Sequence, residues 1–124
     1  WIVAKSGRGS RQKGAAYERL LAKQLSKLTG LPFARGLYQR WRGGKEVSDV
    51  ECADLKDDIH IEAKRQKSGS IKGAMKQALG DVDGTNKMPI VFVKDDQKTC
   101  LVTMRQGDWE QLFCAWLREQ GHIK

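Results

Sequence analysis

The run Pro89-Ile90-Val91-Phe92-Val93 is apolar at every position and rich in β-branched residues. A strand with one wet face alternates apolar and polar residues, so an unbroken run reads as a buried strand that needs neighbours on its flanks and cover on its faces. The rest of the chain supplies both. A helix is expected from about Gly14 to Leu28, with Tyr17, Leu20, Leu21, Leu25 and Leu28 at helical spacing and Gly30 and Pro32 beyond it. Leu37-Tyr38-Gln39-Arg40-Trp41 reads as a first strand, Ser48 to Ala53 as a second and Ile59 to Arg65 as a third. The polar segment Asp54 to Asp58 forms the turn between the last two. Ser70 offers an N-cap to a helix over Ile71 to Val82, which Asp83-Gly84-Thr85-Asn86 ends. After the buried run come a turn at Asp95 to Lys98, a strand over Thr99 to Met104, and a last helix from about Gly107 to Glu119. That helix places Trp109, Leu112, Phe113, Trp116 and Leu117 on one stripe, the pattern of a helix facing a core, with a dimer contact through its two Trp residues as the alternative. The order αβββαββα predicts one α/β domain, a mixed five-stranded sheet flanked by helices.

At 124 residues the chain fits a single core. No apolar run approaches the roughly 20 residues that cross a bilayer, and a soluble, cytoplasmic protein is expected. Cys52, Cys100 and Cys114 are odd in number and lack C-x-x-C spacing, so they are expected as buried, reduced thiols rather than a disulfide framework or zinc site. The net charge is +8, and it is unevenly spread. Residues 1–48 hold 11 basic and 2 acidic residues, 11 − 2 = +9; residues 49–124 hold 12 and 13, 12 − 13 = −1. An excess so confined suits a polyanion, nucleic acid being the commonest. Residues 1–12 are read as a flexible basic arm ahead of a domain spanning 13–124.

Side chains alternate between the faces of a strand. In the third strand Ile59, Ile61 and Ala63 share one face, and His60, Glu62 and Lys64 the other. In the second, Val50 and Cys52 take the core face, leaving Asp49 and Glu51 opposite it. With the hairpin centred near Lys56 and Asp57, Lys64 falls opposite Asp49 and Glu62 opposite Glu51. Asp54 competes with Asp49, but it shares parity with Val50 and Cys52 and lies at the turn. Converging carboxylates suit a hard divalent cation such as Mg²⁺, with the Ala63 carbonyl a further candidate ligand. Such a cation polarises a phosphodiester and acidifies bound water, and an adjacent lysine orients that water and stabilises developing charge.

Asp49, followed 13 positions later by Ile61-Glu62-Ala63-Lys64, resembles the PD-(D/E)XK nuclease signature, with Ser48 standing where that signature has proline. The helix bearing Glu18 is similar to the glutamate helix of that superfamily. Lys13-Gly14-Ala15-Ala16-Tyr17-Glu18-Arg19 resembles the opening of archaeal-type Holliday junction resolvases. The resemblance covers roughly residues 11–104. It implies a restriction-endonuclease-like fold, with Glu18, Asp49 and Glu62 holding Mg²⁺ (Mn²⁺ as substitute) and Lys64 assisting the water. It further implies a homodimer cutting four-way DNA junctions.

Arg35, Arg40, Arg42 and Lys45 surround Tyr38 and Trp41, a mixture suited to phosphate contact with base stacking; Arg8, Arg11, Lys13, Arg65 and Lys67 extend the track. Glu51 reads as a neighbour rather than a ligand, His60 as peripheral, and Gln77 as a helix residue placed to face the site. The competing readings are another PD-(D/E)XK nuclease of restriction or general type, a non-catalytic nucleic-acid-binding module, and a protein-interaction domain. The clustered charge argues against the last.

Overall fold

The computed structural model describes residues 7–36, 48–66 and 70–124, residues 7–11 and 66 by their backbone only. Three helices and five strands follow the expected order. They are α1 (Gly7–Thr29), β1 (Phe33–Arg35), β2 (Val50–Cys52), β3 (Ile59–Gln66), α2 (Ile71–Asp81), β4 (Met88–Asp95), β5 (Leu101–Met104) and α3 (Gln106–Glu119). The strands form one sheet in the order β1-β2-β3-β4-β5. All neighbours are antiparallel except β3 and β4, which run parallel and are joined through α2. A parallel pair needs such a crossover.

The apolar run of β4 sits second from the sheet edge with both faces covered, as its composition requires. On one side α1 lays Tyr17, Leu21 and Ala22 against Val50, Ile61 and Ala63, with Leu25, Phe33, Ile59 and Phe92 around them. On the other side α2 packs Ala74 and Ala78 against Val91 and Val93, flanked by Ile71 and Met75. The two alanines let α2 approach the sheet closely. Its start is set by Ser70, whose hydroxyl accepts from the Gly73 N–H at 2.9 Å, a cap worth about 1 kcal/mol. α1 ends where Gly30 turns left-handed at φ 75° and donates to Ser26 O. The Ser26 hydroxyl accepts from Phe33 N–H and donates to Phe33 O, which docks β1 onto the helix.

Several expectations change. α1 begins at Gly7 rather than Gly14, so its backbone includes positions assigned to the basic arm. Lys13 pairs with Asp96 beyond β4 and ties this first part of the helix to the body. The strand expected at 37–41 lies outside the described residues; the strand beside β2 is Phe33–Arg35. β2 and β5 are shorter than expected. The β2–β3 hairpin centres between Leu55 and Lys56, because Ala53–Leu55 winds into a 3-10 turn and Asp58 N–H closes onto Leu55 O. Val50 therefore pairs with Ile61, which sets Asp49 across from Glu62 rather than Lys64, and Glu51 across from His60. A slip of two residues preserves which face each side chain takes. The cysteines are free, but only Cys52 is buried; Cys100 is exposed and Cys114 intermediate. Most of the apolar stripe of α3 faces outward rather than into a core. No helix among the described residues is long and apolar enough to cross a membrane.

Candidate active site

Glu62 and Lys64 lie in register with Val91 and Val93, whose side chains face α2, so the charged face of β3 is covered by that helix. Glu62 and His60 are only 1% and 2% exposed, unusual for a carboxylate without a cation beside it. His60 Nε2 lies 2.7 Å from Glu62 Oε1, and His60 Nδ1 lies 3.0 Å from the Ser48 hydroxyl. From α2, one turn apart on one face, come Gln77 and Asp81. Gln77 Oε1 accepts from Lys64 Nζ at 3.2 Å, and Asp81 Oδ2 stands 3.4 Å from His60 Nε2. Lys64 Nζ is also 3.9 Å from Glu62 Oε2.

Asp49 enters from the start of β2. Its backbone is pinned on both sides: its N–H donates to Ile61 O at 2.9 Å, and its carbonyl accepts from Gly36 N–H at 2.8 Å. Its side-chain Oδ2 accepts from Ala63 N–H at 2.9 Å. A residue in a strand sends its N–H and C=O to the same neighbour, so the Ala63 carbonyl faces the Asp49 side as well. Glu18 reaches the group from α1, where Arg35 Nε donates to its Oε2 at 2.6 Å. The structure thus brings together Glu18, Asp49, Glu62 and Lys64, although their elements lie on different faces and edges of the sheet.

The electrostatics of the group is that of crowded negative charge. Burial, aided by the adjacent Asp49 carboxylate, pushes Glu62 up to about 8 against the opposing hydrogen bond from His60. Burial also raises Glu18, with Asp49 adding to the effect and Arg35 and Lys64 working against it. For His60, burial disfavours the imidazolium, but Glu62 and Asp81 outweigh it and hold the ring above its ordinary value. Asp81 Oδ2 is fully buried with no hydrogen-bond partner among the described residues. A buried carboxylate oxygen held only by His60 Nε2 at 3.4 Å, and a Glu62 carboxyl raised by burial beside Asp49, are a donor set that suits a divalent cation. Two cradles share Glu62. One is Asp49 with Glu62, reached by Glu18. The other is His60, Glu62 and Asp81, whose ligand atoms lie within 4.8 Å of one another. The second requires His60 to give up its bond to Glu62; the first leaves that bond in place to orient the carboxylate, and suits a hard cation better.

A family model described as "Phage putative PDDEXK endonuclease" matches residues 9–120. The chain belongs to this phage PD-(D/E)XK endonuclease family. It is a nuclease of that superfamily, with the α/β architecture of a restriction-endonuclease-like domain. No curated protein and no solved structure matched it. PD-(D/E)XK nucleases typically work with divalent metals, in keeping with the carboxylates gathered around Glu62.

Sequence reasoning passed over His60 as peripheral and did not weigh Asp81. Its alternation pattern places His60 beside Glu62, but only the close approach of α2 buries it and brings Asp81 to the ring. Among the basic residues expected to touch nucleic acid, Arg35 is engaged with Glu18. Lys13 and Arg65 both pair with Asp96, and Arg65 also donates to Lys94 O. Arg40, Arg42, Lys45 and Lys67, and the side chains of Arg8 and Arg11, lie outside the described residues.

Proposed function

We propose that this PD-(D/E)XK nuclease is a Mg²⁺-dependent, structure-specific DNA endonuclease that resolves four-way junctions as a homodimer, with Mn²⁺ able to substitute. The observation that carries the catalytic part is the placing of Asp49 across from the buried Glu62 on the neighbouring strand, with Lys64 Nζ 3.9 Å from Glu62 Oε2. Asp49 and Glu62, with Glu18 and the Ala63 carbonyl, hold the cation. When bound, it polarises the scissile phosphodiester and lowers the pKa of a water. His60 and Asp81 fix Glu62 from behind, and Gln77 and Asp49 keep Lys64 and the Ala63 backbone in place. Lys64 orients the attacking water and stabilises charge on the phosphate. Arg35 holds Glu18 beside the site, and Glu18 would turn toward the cation by giving up that bond. The excess charge of residues 1–48 supplies the polyanion affinity, through Arg8, Arg11, Lys13, Arg35, Arg40, Arg42 and Lys45, with Arg65 and Lys67 beyond the motif. The chain works in the cytoplasm of the cell that makes it.

Junction preference rests on the likeness of the segment Lys13 to Arg19 to archaeal-type resolvases. Cleavage of a four-way junction is compared with that of linear duplex under Mg²⁺. Symmetric nicking of the junction is expected, with Asp49→Ala and Glu62→Ala binding but not cutting. Equal cutting of both substrates would make the protein a restriction-type or general nuclease. Salt-sensitive binding without cleavage under any divalent metal would make it a non-catalytic binding module.

A further inference from the structure

α3 presents an exposed apolar face. Trp109, Leu112, Phe113 and Trp116 recur at steps of three and four along it, the spacing of a helix–helix seam. Trp109 and Trp116 are 50% and 55% exposed, and Leu112 and Phe113 only somewhat less. Trp109 stacks on Phe113 at 4.7 Å between ring centroids, and Phe113 on Trp116 at 6.3 Å, so the three rings form one continuous surface. Among the described residues α3 packs on no other element to any extent.

We propose that this surface is the contact between two copies of the chain, the α3 helices packing on each other across a two-fold axis. The proposal deepens the dimeric reading above, on which its functional meaning rests. Three observations choose a second copy as the occupant. First, the four side chains expose roughly 400 Å², taking about half of the 150–250 Å² that a large aromatic side chain buries and somewhat less for Leu112. That is about half of the roughly 800 Å² per partner of a standard interface before the polar rim of the helix is counted, and it is the size of the largest, often functional, patch on a monomer. Second, residues 101–124 carry three basic residues (Arg105, Arg118, Lys124) and three acidic ones (Asp108, Glu110, Glu119), so 3 − 3 = 0. The whole excess of +8 therefore lies in residues 1–100. Two strongly basic chains can meet on this neutral end without forcing their charges together, whereas it offers the phosphates of a nucleic acid no electrostatic attraction. Third, a seam on one straight helix is self-complementary when the helix meets its own copy antiparallel, and a two-fold contact requires that property.

The test is the mass of the full chain in solution by sedimentation equilibrium, without DNA or metal. Twice the 14.0 kDa monomer mass is expected, falling twofold to the monomer in Trp109→Glu and Trp116→Glu with an unchanged far-ultraviolet circular dichroism spectrum. A wild-type monomer would overturn the proposal, as would a dimer that survives both substitutions. A wild-type monomer whose Trp116→Glu variant binds DNA more weakly would reassign the surface to nucleic acid. Should the variants not fold, amide exchange of residues 106–119 in the wild type decides. It must slow as protein concentration rises, and exchange independent of concentration refutes the contact. A chain that dimerises and cuts nothing refutes the nuclease reading alone; one that cuts as a monomer refutes this contact alone.

Discussion

Replacing Glu62 by Gln keeps the size and hydrogen-bonding shape of a protonated carboxyl and removes its ability to carry charge. In the folded chain Glu62 holds its proton up to about pH 8, chiefly because it is buried and stands beside Asp49, against an ordinary value of 4.5. Below the lower value both folded and unfolded chains are protonated, and stability is at its fullest. Between the two values the unfolded chain gives up the proton while the folded one keeps it, so stability falls as pH rises and levels off above about 8. His60, also raised, acts in the same direction, and a glutamine at 62 takes away the charge that raises it. Each pH step of one across that window is worth about 1.4 kcal/mol, an upper limit of about 5 kcal/mol that already includes the opposing His60 hydrogen bond. Glu62→Gln should therefore match the wild type near pH 4.5 and unfold roughly 10 °C higher at about pH 9. Thermal unfolding followed by circular dichroism across pH, with a chelator present, measures this. Parallel curves for the two proteins would refute the reasoning, since they would mean that no buried charge is being formed at position 62. A site that holds its carboxylates at a cost to the metal-free fold is one whose design is completed by a cation.

Two further outcomes follow from named contacts. A Cβ at position 36 would collide with the Ser48 carbonyl oxygen, and Gly36 N–H holds the Asp49 backbone, so Gly36→Ala should cost about 1–3 kcal/mol in urea unfolding. It should also weaken Mn²⁺ binding by about tenfold in calorimetry as Asp49 shifts; unchanged metal affinity would show that the Gly36 bond does not position the site. Asp96 is held well below the usual carboxylate range, at about 2, by Lys13 and Arg65. Asp96→Asn frees both cations for phosphate and should tighten DNA binding by roughly tenfold in fluorescence anisotropy at low salt. An unaltered affinity would remove Lys13 and Arg65 from the nucleic-acid interface.

Much of this protein was legible along the chain because its signals are local. The apolar run 89–93, the Ser70 cap and the Ile59 to Arg65 alternation each declare an element through the chemistry of adjacent residues, and α2, β3 and β4 lie close to where those signals put them. The faces of β2 and β3 were also legible, since parity depends only on counting by two. Asp49 was thereby preferred to Asp54, and the two-residue change of register did not disturb that choice.

The strand bearing Glu62 and Lys64 also shows where local reasoning stops. Alternation placed His60, Glu62 and Lys64 on one face, but it could not tell a wet face from a covered one. Burial is a property of what packs above, and two alanines on α2 decide it by letting the helix approach. That approach raises Glu62, closes His60 and Asp81 behind it and hands Lys64 to Gln77. The last helix shows the converse. Its stripe has the periodicity of a core helix, yet among the described residues no element packs broadly against it. Periodicity records that one side of a helix must leave water; only the tertiary structure determines whether the surface that receives it belongs to the same chain.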